Sequence, residues 1–276
     1  MSNNEPMYID VEKVIFSKSP YWAKHAPKFL INYLKKIIHQ DEINELLSKY
    51  HGTQGVEFAT NTLKYLNVNY NVHNTTKVNG NRRYIFVSNH PLGGFDGIVL
   101  LSYIGSIYPK LKFVVNDLLM HIEPLKPLFV PVNKLGKMNQ EYVKQIKETY
   151  SSDSQILYFP AGLCSRLIKG KVQDLEWKKS FLKNAIKYDR DIIPIFFSGH
   201  NSKFFYRLAK LRKFLGIKFN IEMMYLPNEM FKQKNSTFDI YFGDPIPVST
   251  FTKEHSIEEW IQYIRDKAYG TYNTTR

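Results

Sequence analysis

The chain has 276 residues, of which 43% are hydrophobic and 15% aromatic, so it is long enough to bury one large core. Its formal net charge of +13 predicts an anionic partner, which leaves open nucleic acid, an anionic membrane surface, or an acidic carrier or substrate. The single cysteine, Cys164, excludes an intramolecular disulfide and a multi-cysteine metal site.

The first 80 residues predict a helical N-terminal region. Residues 28–38 place Leu30, Leu34 and the Ile37-Ile38 pair on one side, with lysines elsewhere, and a second helix is predicted over residues 56–66. A basic amphipathic helix of this kind either covers a core or lies on a lipid surface, and the pattern alone favours the first. An Asn-rich polar break over residues 71–81 follows.

Residues 81–276 predict an α/β domain. Short hydrophobic strands are predicted over residues 85–88, 112–115, 128–132, 155–159, 192–197, 221–225 and 238–242, with helices over 139–150, 175–187 and 203–215. Strands that alternate with helices predict a mixed, mostly parallel sheet flanked by helices. Sites in such sheets lie beyond the carboxyl ends of the strands, where four polar turns fall: residues 89–96, 116–117, 133–134 and 161–166.

The first of these turns holds a histidine and an aspartate. Gly93 and Gly94 lie between His90 and Asp96, and glycines permit the loop to fold back and bring the two side chains together. A carboxylate that accepts from one imidazole nitrogen leaves the other nitrogen free as a base. The same residues could instead cap a turn and a helix N-terminus.

The last turn carries Gly162, Ser165 and Arg166, with Lys169 and Lys171 shortly after. Backbone N–H groups, a hydroxyl and a guanidinium together are typical of an anion site. As an isolated pattern this turn is weak evidence.

Together these stretches resemble the glycerolipid acyltransferase family, which includes lysophosphatidate acyltransferases. Asn89-His90 and Asp96 match the family's first block, and residues 159–165 match its Phe-Pro-Glu-Gly-Thr-Arg-Ser block. Residues 129–134 resemble the second block, with Lys134 as its basic residue, and residues 192–195 resemble the fourth. The resemblance spans residues 85–197 and is closest to a bacterial branch of glycerol and lysophospholipid acyltransferases, some of whose relatives acylate lyso-forms of amino-acid lipids.

Three positions depart from the family pattern. Five residues separate His90 from Asp96 where the family has four, so the loop must bulge to keep the contact. Ala161 replaces the family's glutamate, and Cys164 replaces its arginine while Arg166 stands two positions later. The acceptor site is therefore expected to differ from that of the lysophosphatidate enzymes.

The resemblance implies transfer of a fatty-acyl group from acyl-CoA or acyl carrier protein to a hydroxyl of a lyso-lipid, without a metal or other cofactor. His90 would act as general base and Asp96 would orient it. The acceptor and donor would be bound by a further set of residues: Asn89, Gly93, Gly94, Lys134, Gly162, Ser165, Arg166 and Lys169.

Two other functions remain open on the residues. Cys164 with His90 could form the nucleophile and base of a thiol-type acyl hydrolase, with a serine-type hydrolase as a variant. A basic nucleic-acid-binding protein would explain the charge, but the sequence has no zinc-finger spacing and no aromatic RNA-binding motif. The histidines form no His-Glu-x-x-His or His-x-His spacing, which disfavours a metal site.

Residues 203–215 predict a helix with two distinct sides. Phe204, Leu208, Leu211 and Leu215 form one stripe, and basic residues cluster away from it. The stripe either packs on the protein or docks on anionic lipid or an acidic carrier. No apolar run approaches the roughly 20 residues of a membrane-spanning helix, and the first residues lack a signal-peptide layout. We therefore expect a cytoplasmic protein, peripherally associated with the inner face of the membrane.

Overall fold

The computed structural model describes residues 9–13, 27–74, 82–132 and 139–273. In this part of the chain seven strands form one mixed sheet in the order β1-β9-β8-β2-β5-β3-β4, and two more form a hairpin. The strands are β1 Asn69–His73, β2 Tyr84–Ser88, β3 Leu111–Asn116, β4 Phe129–Val132, β5 Gln155–Tyr158, β6 Arg166–Ile168, β7 Lys171–Gln173, β8 Asp191–Phe197 and β9 Thr237–Phe242.

Helices lie on both faces of the sheet. They are α1 Lys28–Ile38, α2 Gln40–Lys49, α3 Gly55–Tyr65, α4 Phe95–Ile107, α5 Gln140–Ser151, α6 Ser180–Lys187, α7 Lys203–Phe214, α8 Leu226–Phe231 and α9 Ile257–Asn273. Short 3₁₀ segments span Asp117–His121, Glu123–Leu128, Ile221–Tyr225 and Val248–Thr250. Within the described residues, none of the helices combines the length and the apolar character that crossing a bilayer requires.

The sheet is mixed and mostly parallel, which confirms the predicted fold class. Strands β8, β2, β5, β3 and β4 pair in parallel, whereas β8 and β9 pair antiparallel. Strand β1 is parallel to β9. The carboxyl ends of five strands therefore meet at one edge, and the loops that follow β2 and β5 emerge there side by side.

Alternation along the central strands divides the core between the two faces. In β2, Tyr84 and Phe86 pack in the cluster that includes α2, α3 and α4, while Ile85 and Val87 pack in the cluster that includes α6 and α9. All four are buried, as expected for a strand that helices cover on both sides. The central strand is thus held firmly on both faces just before the loop that carries His90.

Three predicted elements differ from the structure. Residues Ile221–Tyr225 form a 3₁₀ helix and not a strand, because Glu222 near their start is buried and pairs with two arginines instead of facing a sheet. The helix predicted from residue 175 begins only at Ser180, because Trp177 is buried and the N–H of Lys178 bonds to Pro160 O. The polar break predicted over residues 71–81 begins within strand β1, whose side chains are half-buried or exposed because it is an edge strand, and residues 75–81 lie outside the described residues.

The boundary between a helical region over 1–80 and an α/β domain over 81–276 stays a prediction. Strand β1 lies before that boundary and pairs with β9 of the same sheet. The N-terminal region therefore contributes to the sheet as well as covering it.

Arg190 ties the end of α5 to the sheet. Its fully buried guanidinium donates to the carbonyl oxygens of four residues in and after the last turn of α5: Thr149, Tyr150, Ser152 and Ser154. The last carbonyl groups of a helix have no partner within the helix, so Arg190 supplies a donor to groups at this helix end, and Thr149 O also accepts from the hydroxyl of Ser152. Burial lowers the pKa of Arg190 to about 10, so the side chain remains charged at neutral pH.

Candidate active site

The loop between β2 and α4 brings His90 onto Asp96. Gly93 has φ +69° and Gly94 has φ +126°, values that side chains other than glycine rarely adopt. These two residues let the chain turn back so that Asp96, in the first turn of α4, faces His90. The extra residue of this loop is accommodated, and the contact between the two side chains is made.

The histidine and the aspartate form a close hydrogen-bonded pair. His90 Nδ1 lies 3.0 Å from Asp96 Oδ1 and 3.1 Å from Oδ2. An ionised carboxylate only accepts hydrogen bonds, so Nδ1 carries the proton and Nε2 keeps its lone pair. Among the described residues Nε2 has no hydrogen-bond partner, and the ring is slightly exposed at the sheet edge. A base in this tautomer is suited to removing a proton from a hydroxyl.

Asp96 remains ionised although it is fully buried. Burial by itself raises the pKa of the carboxyl, but the electrostatic interaction with the His90 imidazole and the hydrogen bonds from His90 and the backbone outweigh burial, so the pKa of Asp96 lies below its usual value. The backbone N–H groups of Leu92, Gly94 and Gly97 also donate to this carboxylate at 2.9, 3.2 and 2.8 Å. The loop therefore forms an N–H cradle for the negative charge.

Aromatic and amide groups fix the loop on either side of His90. The ring of Phe159, from the loop after β5, stacks on the imidazole with centroids 4.2 Å apart and planes inclined by 20°. Asn89 is buried and bridges to β8, accepting from Phe197 N at 2.7 Å and donating to Phe197 O at 3.0 Å. Asn89 thus joins the ends of two neighbouring strands below the dyad.

A buried carboxylate that the sequence analysis did not single out, Asp174, links the two loops. Its Oδ1 accepts from His90 N at 3.1 Å and from the hydroxyl of Ser165, and its Oδ2 accepts from Trp177 Nε1 at 2.8 Å. Ser165 N in turn donates to His90 O at 2.7 Å. Burial raises the pKa of Asp174 against the effect of these hydrogen bonds. The only signal in the sequence is one acidic residue in a lysine-rich stretch, which is too common to identify it.

Ser165 and Arg166 make their contacts within the protein. Ser165 is buried and its hydroxyl donates to Asp174. Arg166 donates to Cys164 O at 2.6 Å and to Glu222 Oε1 at 2.9 Å, and Arg212 donates to the other oxygen of Glu222 at 2.8 Å. Arg166 is therefore one arm of an Arg–Glu–Arg triplet around buried Glu222, which connects the start of β6 to α7.

The remaining predicted binding residues lie in other turns of the chain. Gly162 follows Phe159 in a turn, its N–H donating to Phe159 O at 3.1 Å. Lys169, with φ +49°, and Gly170 form the exposed tip of the β6–β7 hairpin, and Lys171 begins the returning strand. Lys134 lies outside the described residues.

Cys164 is enclosed beside the site. The thiol is fully buried, its sulfur accepts from Arg166 Nη1 at 2.9 Å, and burial raises its pKa to about 11. A thiol nucleophile has to be ionised and accessible, so these surroundings oppose the thiol hydrolase that the sequence left open.

A family model and two relatives of high identity show the family of this chain. Residues 13–275 match a protein-family model described as Acyltransferase. A "Lyso-glycine lipid O-acyltransferase" from Bacteroides thetaiotaomicron is 45% identical over 270 residues, covering 98% of this chain and 99% of that protein. A protein of the same name from Phocaeicola vulgatus is 41% identical, covering 98% of this chain and 97% of that protein.

Among solved structures, the crystal structure of the 1-acyl-sn-glycerophosphate (LPA) acyltransferase PlsC from Thermotoga maritima is similar. The superposition has a TM-score of 0.50 and covers 95% of this chain and 91% of that chain, at 15% sequence identity. At this identity the likeness is one of fold.

Proposed function

The chain belongs to the acyltransferase family, and from this premise we propose that it transfers a fatty-acyl group from an acyl thioester to a hydroxyl of a lyso-lipid. The hydrogen-bonded pair of His90 and buried Asp96 at the sheet edge carries this proposal. It provides a general base with a fixed tautomer, and a substrate hydroxyl can serve as the nucleophile.

The reaction proceeds by direct transfer. His90 Nε2 takes the proton of the acceptor hydroxyl as its oxygen attacks the thioester carbonyl carbon. The C–S bond then breaks, the ester is formed, and the departing thiolate takes the proton from the imidazolium. Asp96 fixes the imidazole and stabilises its protonated form through the Nδ1 hydrogen bond. Asp174 positions the backbone of His90 by accepting a hydrogen bond from the His90 N–H.

The acceptor we propose is a lyso-lipid with an amino-acid head group, such as a lyso-glycine lipid. Two relatives with this substrate in their names match the chain over nearly its full length, at 45% and 41% identity. The loss of the family's glutamate and the shift of its arginine also favour an acceptor other than lysophosphatidate. Such a lipid offers a carboxylate for binding and a hydroxyl for acylation.

The donor we propose is acyl-CoA or acyl carrier protein, both of which are anionic. The net charge of +13 supports an anionic donor and an anionic membrane surface. The exposed Lys169 and Lys171, with Lys134, are proposed to attract the acceptor or donor. Gly94 is proposed to let a ligand approach the backbone closely, since no heavy atom lies within 4 Å of its Cβ position, whereas the Cβ position of Gly93 faces Leu226 of the protein itself.

Product analysis by mass spectrometry tests this function. The pure protein is incubated with isotopically labelled acyl-CoA or acyl carrier protein and with lyso-glycine lipid, lysophosphatidate and a neutral lyso-lipid. We expect labelled diacyl product from the lyso-glycine lipid, with less or none from lysophosphatidate. Transfer only to the neutral acceptor would contradict the anionic acceptor site. Release of free fatty acid alone would identify a hydrolase.

A further inference from the structure

Exposed apolar side chains concentrate on one part of the surface. Of the fourteen large hydrophobic side chains that are exposed in the described part of the chain, nine lie on α1 or between residues 204 and 224. They are Phe29, Tyr33, Phe204, Leu211, Phe214, Leu215, Ile217, Phe219 and Met224, and we call them the α1–α7 surface. Phe214 is 85% exposed, Phe29 75% and Phe219 67%. A concentration of this kind on one surface indicates a binding partner.

Direct contacts join the two helices that carry this surface. Tyr33 OH on α1 is 2.6 Å from Tyr225 OH, and the ring of Tyr225 packs edge-on against Phe204 of α7 with centroids 5.0 Å apart. Phe29 lies one helical turn before Tyr33, on the same side of α1. These contacts connect the α1 part of the α1–α7 surface to Phe204 at the start of α7.

The part of the α1–α7 surface on α7 is not the side of this helix that packs against the protein. The buried residues of this helix are Phe205, Tyr206 and Ala209, which face the core around Cys164. In the predicted stripe Leu208 is half-buried, whereas Phe204, Leu211 and Leu215 are exposed on the outer side. Of the two alternatives that the sequence left open for this stripe, the structure therefore favours docking over packing.

The exposed charge of the same segments is positive. Residues 28–38 and 203–224 contain nine Lys and Arg residues and one acidic residue, Glu222, which is buried and pairs with Arg166 and Arg212. On α7, Lys203, Arg207 and Lys210 are exposed and flank the apolar stripe. An outward apolar stripe with Lys and Arg beside it is typical of a helix that lies in the interface of an anionic bilayer. An acidic carrier protein would satisfy the cations but would not require phenylalanines as exposed as Phe214 and Phe219.

The inner side of this unit contacts the catalytic loops. Glu222, within the basic segment, pairs with Arg166 at the start of β6. A Cβ on Gly93, in the loop of the dyad, would come within 2.8 Å of Leu226 Cδ2 at the start of α8. A membrane bound to the outer side would therefore lie above the elements that hold His90.

From these observations we propose that the α1–α7 surface seats the protein on an anionic lipid bilayer, with Phe214 and Phe219 inserted among the lipids. The proposal deepens the proposed function, on which it rests, by naming the surface through which the enzyme reaches a lipid acceptor. The acyl chains of the bilayer would cover the apolar residues of the α1–α7 surface, and its anionic head groups would attract the lysines and arginines beside them.

The test uses a double variant that carries both Phe214→Ser and Phe219→Ser. Its control is the single variant Ile186→Ser. Ile186 is 42% exposed on α6, in the helical layer on the other face of the sheet. Flotation uses vesicles of phosphatidylcholine with or without phosphatidylglycerol, and circular dichroism melts check that each variant is folded. We expect the double variant to bind anionic vesicles at least about tenfold more weakly than the wild type, while Ile186→Ser binds normally.

Activity is measured with two forms of the acceptor. Transfer to lyso-lipid embedded in vesicles should fall in the double variant, and transfer to a short-chain, water-soluble analogue should be unchanged. Wild-type vesicle binding by the double variant would overturn the proposal, as would a loss confined to binding of acyl carrier protein. If the wild type transfers to no acceptor, the proposed function fails, and flotation still decides whether this surface binds lipid.

Discussion

At the scale of single residues, the geometry assigns different tasks to His90 and Asp96. The buried carboxylate receives three backbone N–H bonds besides the imidazole, so its position does not depend on the histidine. Asp96→Asn keeps the volume but removes the charge that stabilises the imidazolium and selects the tautomer. We expect turnover to fall by about 10² or more with little change in acceptor KM. Steady-state kinetics checks this, and turnover within threefold of the wild type would show that the carboxylate is not needed.

The buried thiol gives an independent prediction about mechanism. With its pKa near 11, Cys164 is protonated at pH 8, where only about one molecule in 10³ carries the thiolate. The thiol ionises only as the pH rises towards 11, so iodoacetamide should label the native protein very slowly at pH 8 and rapidly once it is unfolded. Cys164→Ala should retain most of the acyl-transfer activity. A loss as severe as that from removing the His90 imidazole would favour a thiol nucleophile.

At the scale of elements, Arg190 gives a prediction about stability. Its guanidinium bonds to four carbonyl groups around the end of α5, all from a fully buried position. Arg190→Ala removes this donor from all four groups, of which Thr149 O keeps the hydroxyl of Ser152, and it opens a cavity. We therefore expect a loss of about 3 kcal/mol or more in the free energy of unfolding. Urea denaturation measures it.

The matched control for this change is Arg83→Ala. Arg83 also donates to a carbonyl, Tyr188 O, but its contacts lie at the protein surface, so we expect a loss below about 1 kcal/mol. Equal losses for the two variants would show that burial of the Arg190 network adds nothing.

Contacts between residues close in the sequence could be predicted, whereas contacts between distant residues could not. The dyad was predictable because His90 and Asp96 lie six residues apart in one loop. Asp174 and Glu222 were not, because their partners are distant in the sequence: His90 lies 84 residues from Asp174, and Arg166 lies 56 residues from Glu222. The strand prediction for residues 221–225 was wrong for the same reason, because the alternating pattern there belongs to a 3₁₀ helix whose Glu222 pairs with distant Arg166.

The strand pattern was informative where helices cover both faces of the sheet and failed at its edge. Strands β2, β5 and β8 are mostly buried and apolar, apart from a polar residue at one end of each, and the sequence analysis identified all three. Strand β1 is polar because one of its edges and much of its surface face solvent, so its sequence resembles a loop.

At the scale of the whole molecule, the excess of positive charge predicts how the protein is held at a membrane. With a net charge of +13, electrostatic attraction should supply much of the affinity for anionic lipid. Raising the ionic strength from 0.1 M to 1 M shortens the screening length from about 10 Å to about 3 Å. We therefore expect 1 M NaCl to release most of the protein from anionic vesicles in a sedimentation assay. Retention at high salt with release only by detergent would contradict a charge-led association.

The central claim is that His90 acts as the base for direct acyl transfer, and one comparison tests it most directly. Wild-type protein and His90→Ala are given labelled acyl thioester and lyso-glycine lipid, and diacyl product is quantified by mass spectrometry while circular dichroism verifies the fold of each. We predict product from the wild type and none above background from the variant, because among the described residues only His90 presents an imidazole bonded to a buried carboxylate at this edge of the sheet. Product formation by folded His90→Ala at a rate near that of the wild type would contradict the account.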